Sequence, residues 1–328
     1  MKNTYLTGAV LFLAFALLVC AASAGYSGAH GRASEGFSFA WGSGELSSEQ
    51  IIDMSEIRNV DILCDSINVV LDESDGEMCT VKVYQHKNRK GTQVQIETTG
   101  DTLSVKREHN NYTVVSVFGF RFGSIGAERV EIFLPKDYHG KIKVETGSGN
   151  IGAETDLRLE DFQAVAGSGN IRCQNVEAGE IKASAGSGNI SFGNAEGSRD
   201  ISAGSGNIRV LGGTGDTVIS TGSGEIAVEG VNGRFDASAG SGNIRVCVAE
   251  VSEDIKITTA SGNIKLEVPK GSSFTYAGSS VSGDIRTDFD DLLEWNRKRN
   301  EAQGSYGESG GMQICTQASS GNTTVVLR

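Results

Sequence analysis

The chain has 328 residues, long enough for a sizeable core, and its 44 glycines against two prolines favour a shape built on repeated bends. Apolar residues make up 38% and aromatics 7%, so the core has to be thin and lined by Ile, Val and Ala rather than by large rings. A formal charge of −12 repels phosphate backbones and argues against nucleic acid as a partner.

Residues 1–24, "MKNTYLTGAVLFLAFALLVCAASA", carry one lysine, an apolar stretch over 9–19 and Ala22-Ser23-Ala24 in the A-x-A form of a signal-peptidase site. The expectation is export, with Gly25 as the mature start and an extracytoplasmic location, secreted or held at the cell envelope. An uncleaved membrane anchor or a lipidated Cys20 is the alternative, although Val19 stands where a small residue usually precedes a lipidated cysteine. Membrane contact would run through this segment only. Residues 25–46, including "GYSGAHGRASEG", read as a flexible linker. From 47 to 140 the chain alternates, as in Val81-Lys82-Val83-Tyr84 and Val130-Glu131-Ile132-Phe133, but without a fixed period; irregular β coils are expected there.

From 141 the pattern becomes regular. Copies of S-G-N-I begin at Ser148, Ser168, Ser187, Ser205, Ser223, Ser241, Ser261 and Ser282, with a degenerate one at Ser320, in steps of 20, 19, 18, 18, 18, 20, 21 and 38 residues. A period near 20 marks stacked supersecondary units. Apolar or small residues stand two, four and six before the serine in most copies (Phe162, Ala164, Ala166; Phe235, Ala237, Ala239), and three and five after it (Ile190, Phe192; Ile244, Val246). Alternation on both sides of a glycine-rich bend is strand, bend, strand. The fold predicted over 141–328 is therefore all-β: a parallel β-helix, or β-solenoid, with coils of about 18–21 residues stacked about 4.8 Å apart. The bend glycines are expected to supply positive φ. Asn150, Asn170, Asn189, Asn207, Asn243 and Asn263 follow them and should form a column whose amides hydrogen-bond from coil to coil. Glu225 and Asp284 replace asparagine in that column and should tilt outward or pair with a neighbouring amide. Residues 288–311 interrupt the period as an excursion or short helix, read as a solvated cap.

After removal of 1–24 five cysteines remain, an odd number with no C-x-x-C spacing. Cys173 falls on the inward column, Cys247 and Cys315 fall outward, and a Cys64–Cys79 pair near the first coils is open. His30, His86, His109 and His139 are scattered, so no structural metal and no cofactor is expected.

"ERVEIFLPKDYHGKIKVETGSGNI" over 128–151, the run of SGNI coils and "SGDIRTDFDD" over 282–291 resemble the bacterial β-strand-repeat proteins known as putative adhesins, a domain of unknown function. The resemblance covers about 47–328. It implies an exported or membrane-anchored envelope protein with a β-helical fold and brings no catalytic residues with it. Some relatives are associated with envelope-stress signalling.

Motifs for chemistry are sparse. Gly147-Ser148-Gly149-Asn150-Ile151-Gly152 fits G-x-G-x-x-G, but a strand follows where dinucleotide binding needs a helix. Gly212-Gly213-Thr214-Gly215-Asp216 approaches a calcium-binding nonapeptide with its Asp one residue early, and reads as a turn. Asp161, Glu180, Asp216 and Asp254 share one position, seven before the serine, and adjacent carboxylates of that kind serve acid/base cleavage of polysaccharide in some β-helices. Ser198 and Arg234 break the column, and no Arg or Lys cluster accompanies it. The leading expectation is a non-enzymatic, adhesin-like surface module whose partner is a cell-wall polymer, a glycan or an envelope protein. The alternatives are a polysaccharide-cleaving enzyme using the acidic column and a membrane-held envelope-stress scaffold or sensor.

Overall fold

The computed structural model describes residues 44–85, 93–107, 128–308 and 311–328, all within one compact unit, Trp41–Arg328. The leader read over 1–24, nearly all of the linker, and His30, His86 and His109 lie outside the described residues. Within them the chain is all-β: the strands belong to one hydrogen-bonded sheet, mostly parallel, and a single 3-10 turn, Asp290–Leu292, is the one helical element. No helix there is long and apolar enough to cross a membrane.

Successive repeats lie directly on one another, giving a solenoid-like arrangement. Ile171 pairs in parallel register with Ile151 and Ile190, and Ala183 pairs with Ala164 and Ile201. Stacking without displacement converts the repeat into columns, and the inward column Ile151, Ile171, Ile190, Ile208, Ile226, Ile244 and Ile264 is at most 1% exposed. Each such side chain contributes roughly 2 to 3 kcal/mol through removal of apolar surface from water. Facing strands supply Ala164, Ala183 and Ala237, small enough for a narrow interior, interspersed with Ile201, Ile219 and Ile257. Two inward threonines are satisfied locally: Thr221 Oγ1 donates to the Gly206 carbonyl at 2.9 Å, and Thr259 Oγ1 to that of Gly242 at 3.1 Å.

Three features differ from the sequence expectation. The strands Ile151–Ala166, Ile171–Ala185 and Ile190–Ala203 run through a corner without a break, so these coils carry a third paired stretch (Val176 with Leu157 and Ala195) beyond the two strands expected. Secondly, no boundary falls at 140. Asn59–Cys64 pairs with Lys141–Thr146, and Asn68–Ser74 pairs with the start of Ile151–Ala166, so Ser66-Ile67-Asn68-Val69 lies over Ser148-Gly149-Asn150-Ile151. Thr102–Arg107 and Arg129–Pro135 add a further coil, and antiparallel strands flank it: Gln95–Thr99 on one side, and Met78–Gln85 with Glu45–Asp53 on the other. Glu45–Asp53 begins inside the span read as linker.

The third difference is the order of the last coils. Met312–Ser320 pairs with Ile255–Ser261 on one side and Phe274–Ser282 on the other, so the final coil of the sequence is threaded between the two that precede it. The excursion forms Leu293–Trp295 and Glu301–Tyr306, antiparallel to each other, with the second strand paired to Phe274–Ser282. It is a partly buried closure rather than a solvated one: Phe289 is 4% exposed and packs edge-on against Phe274 and Tyr276, with ring centroids 5.5 and 5.7 Å away. A covered edge is one that cannot recruit a further strand.

Candidate functional site: two ladders and a terminal groove

The asparagine column ties coil to coil on both sides of Glu225, where it is interrupted. In four of its steps a side-chain Oδ1 accepts from the backbone N–H of the asparagine one coil on: Asn150 to Asn170 at 2.9 Å, Asn170 to Asn189 at 2.8 Å, Asn189 to Asn207 at 2.9 Å and Asn243 to Asn263 at 2.9 Å. Amide-to-amide bonds accompany three of these steps, at 3.2 to 3.3 Å. Asn68 begins the ladder by accepting from Asn150 N–H at 2.8 Å, and Asn322 continues it, accepting from Asp284 N–H at 2.9 Å. Glu225 takes the bond from Asn207 through its own N–H, at 2.8 Å, and turns its carboxylate to solvent. Asp284 stands on the last coil in space, where no further N–H waits for an acceptor, and its carboxylate lies 3.5 Å from Arg286.

Glycine precedes this column for a reason other than the one expected. Of the bend glycines only Gly224, Gly262 and Gly321 have positive φ, at 159°, 151° and 146°. What all of them share is the carbonyl of the coil beneath: a Cβ on Gly169 would stand 1.7 Å from Gly149 O, and one on Gly188 would stand 1.8 Å from Gly169 O. Any side chain there would force the coils apart.

The carboxylates seven before the serine are brought into one column but not into a reactive pair. Asp161 and Glu180 are register partners, yet Lys141 Nζ lies 2.6 Å from Asp161 and Lys182 Nζ lies 2.7 Å from Glu180. Asp216 Oδ1 accepts from Arg234 N–H at 3.3 Å, and Asp254 Oδ1 accepts from Gln313 N–H at 2.8 Å. The second pair repeats the logic of the asparagine ladder, with a side-chain oxygen tying one coil to the next. No group of His, Cys, Asp and Glu suited to a metal ion occurs among the described residues.

A groove of about 470 Å³ opens where the excursion meets the last coils. Glu294, Trp295 and Asn296 line it from the excursion, Glu301 and Gln303 from its second strand, and Ala277, Ser279, Cys315 and Gln317 from the sheet.

Residues 57–326 match the Toastrack DUF4097 family, a domain of unknown function. The chain belongs to that family. Among solved structures, a putative adhesin from Parabacteroides merdae is 17% identical with a TM-score of 0.48, over 88% of this chain and 98% of its own. A putative adhesin from Bacteroides fragilis is 14% identical with a TM-score of 0.41, over 86% and 96%. A putative cell adhesion protein from Clostridium sporogenes is 11% identical with a TM-score of 0.27, over 86% and 99%. At that distance their names belong to them alone. No curated protein matches the chain.

This Toastrack chain holds three things that its repeat did not advertise. Asn68 was legible in principle, because Ser66-Ile67-Asn68-Val69 differs from SGNI only by Ile67 and Val69, but 82 residues separate it from the next rung. Arg199 occupies an inward position, between Ile181 and Thr217 in register, and is 2% exposed. Its guanidinium donates to the carbonyls of Ala195 at 2.7 Å and Gly215 at 2.9 Å, and loss of water draws its pKa down to about 10. The glycine turn 212–215, weighed above as a calcium loop, thus does receive a cation, and the cation is the chain's own. The groove is the third, assembled from strands far apart in sequence.

Among the described residues the cysteines are all free: Cys64 and Cys79 are buried without bridging, which removes the pairing left open above. Burial pushes the thiols of Cys64, Cys79 and Cys173 up to about 12. Cys247 and Cys315 are half-buried on outward positions of different strands.

Proposed function

We propose that the protein is an exported, non-enzymatic surface module, a parallel β-helix whose stacked outer faces engage a cell-wall polymer or glycan. The observation that carries this reading is the engagement of the acidic column. Asp161 is held by Lys141 of the neighbouring coil and Glu180 by Lys182 of its own strand, while Asp216 and Asp254 accept from backbone amides of the next coil, so each carboxylate has a structural partner where a hydrolase or lyase would need a free acid and base. Parallel stacking also repeats each outward side chain at about 4.8 Å, a spacing that suits an extended polymer better than a small substrate.

The test is retention of purified residues 25–328 on a panel of wall polymers and glycans, with the supernatant assayed for new reducing ends. Binding without release of sugar is expected, and Asp161→Asn with Glu180→Gln should leave it unchanged. Sugar release that disappears in that double variant would establish the enzyme instead. N-terminal sequencing of the exported protein should return Gly25.

A further inference from the structure

The terminal groove lies where the chain abandons its period, and it has the chemistry of a sugar site. Its volume, about 470 Å³, falls in the range of small-ligand sites. Trp295 is the aromatic side chain among the groove's lining residues and is fixed in place: its Nε1 donates to the Asp290 carbonyl at 3.2 Å, and the Arg299 guanidinium stands over one face of the ring, 4.4 Å from its centre. Around it gather groups that both donate and accept. Gln303 is oriented by a 3.3 Å bond from its Nε2 to Glu294, while the side chains of Glu301, Gln317 and Ser279 have no hydrogen-bond partner among the described residues. No lysine or arginine lines the groove, and two carboxylates do.

An occupant must therefore offer an apolar face to an indole and a rim of hydroxyls to amides and carboxylates, and it must not be an anion. A pyranose ring meets all three conditions. We infer that the groove holds one pyranose unit of a neutral or amino-substituted glycan, its C–H face on Trp295 and its hydroxyls on Glu301, Gln303 and Gln317. This rests on the glycan reading of the proposed function and gives that reading a site and a class of sugar. An acidic sugar such as a uronate is disfavoured, because Glu294 and Glu301 line the groove and would repel its carboxylate while Arg299 stands on the indole outside the lining.

The chain has two tryptophans, so Trp41→Phe leaves Trp295 as the reporter. In that background the probes are the trimers of N-acetylglucosamine, glucosamine, β-1,4-glucose and galacturonate. Each is read by Trp295 fluorescence and by the rate of iodoacetamide alkylation at Cys315, with Cys247 as the internal control. The expected result is that at least one of the first three shifts the fluorescence and slows alkylation at Cys315 but not at Cys247, while the galacturonate trimer does neither. Gln317→Ala and Glu301→Gln, both at exposed positions, should each weaken binding by about tenfold, the worth of one good hydrogen bond. No response to any of the first three, an equal response to galacturonate, or unchanged affinity in both variants would overturn the inference. Retention on wall polymer that persists in both variants would also overturn it while leaving the surface-binding reading intact, because contact would then lie on the flat faces.

Discussion

The glycine of each bend is defined by what lies beneath it, and a substitution can show this. Gly188→Ala puts a methyl group 1.8 Å from the Gly169 carbonyl, and because backbone is on both sides neither coil can yield locally. A loss of about 3 kcal/mol or more is expected in chemical denaturation. Gly271, with nothing within 4 Å of its notional Cβ and no left-handed φ, should accept alanine with no loss. Arg199 poses a different question, since its charge is desolvated and no carboxylate is bonded to it. Arg199→Lys keeps the charge and loses the fork that reaches Ala195 and Gly215 together, so it should cost about 2 to 3 kcal/mol. Arg199→Met also loses those bonds but relieves the desolvation, and it should fall within about 1 kcal/mol of the parent. The expected order, Met above Lys, is read from denaturant midpoints; the reverse would mean that the charge itself stabilises the interior.

At the scale of elements, the ladders and the last coil divide the work of holding the stack. Each asparagine rung satisfies a bend N–H that the parallel sheet alone leaves without a partner. Asn189→Ala should cost about 1 kcal/mol and leave Asn207 N–H faster to exchange, whereas Asn189→Asp, which keeps the acceptor, should cost less. The six repeat asparagines were legible from their spacing, and so was the strand, bend, strand pattern of 141–268. The place of Met312–Ser320 and Thr323–Leu327 was not, because Ser320 continues the repeat by type and alternation says nothing about which coil a strand will pair with. The structure seats this coil between Ile255–Val268 and Phe274–Thr287, so deleting 312–328 removes a middle layer, not an end. Hydrogen exchange on that truncation should show protection lost throughout 274–306 and retained over 151–248. If 274–306 stays protected, the coil beyond the slot is stable without its neighbour and the threading is incidental.

For the whole molecule, one repeated sequence unit determined a great deal. The period near 20, the two-residue alternation and the glycine-rich bend require parallel strands stacked in register, because only that arrangement buries every Ile of the column and gives each bend the same surroundings. Those are local and periodic facts, and a single chain displays them. The tertiary structure alone decided the rest: that Asn68 is a rung, that Cys64 and Cys79 do not bridge, that Arg199 is inside, that Asp161 and Glu180 are held by lysines, and that the last coil is threaded. Each of these depends on which segment lies against which across tens of residues, and pairing partners compete on contact energies that a repeat makes nearly equal. The groove belongs to the same class, since its walls come from the excursion and its floor from the two coils that the threading brings side by side.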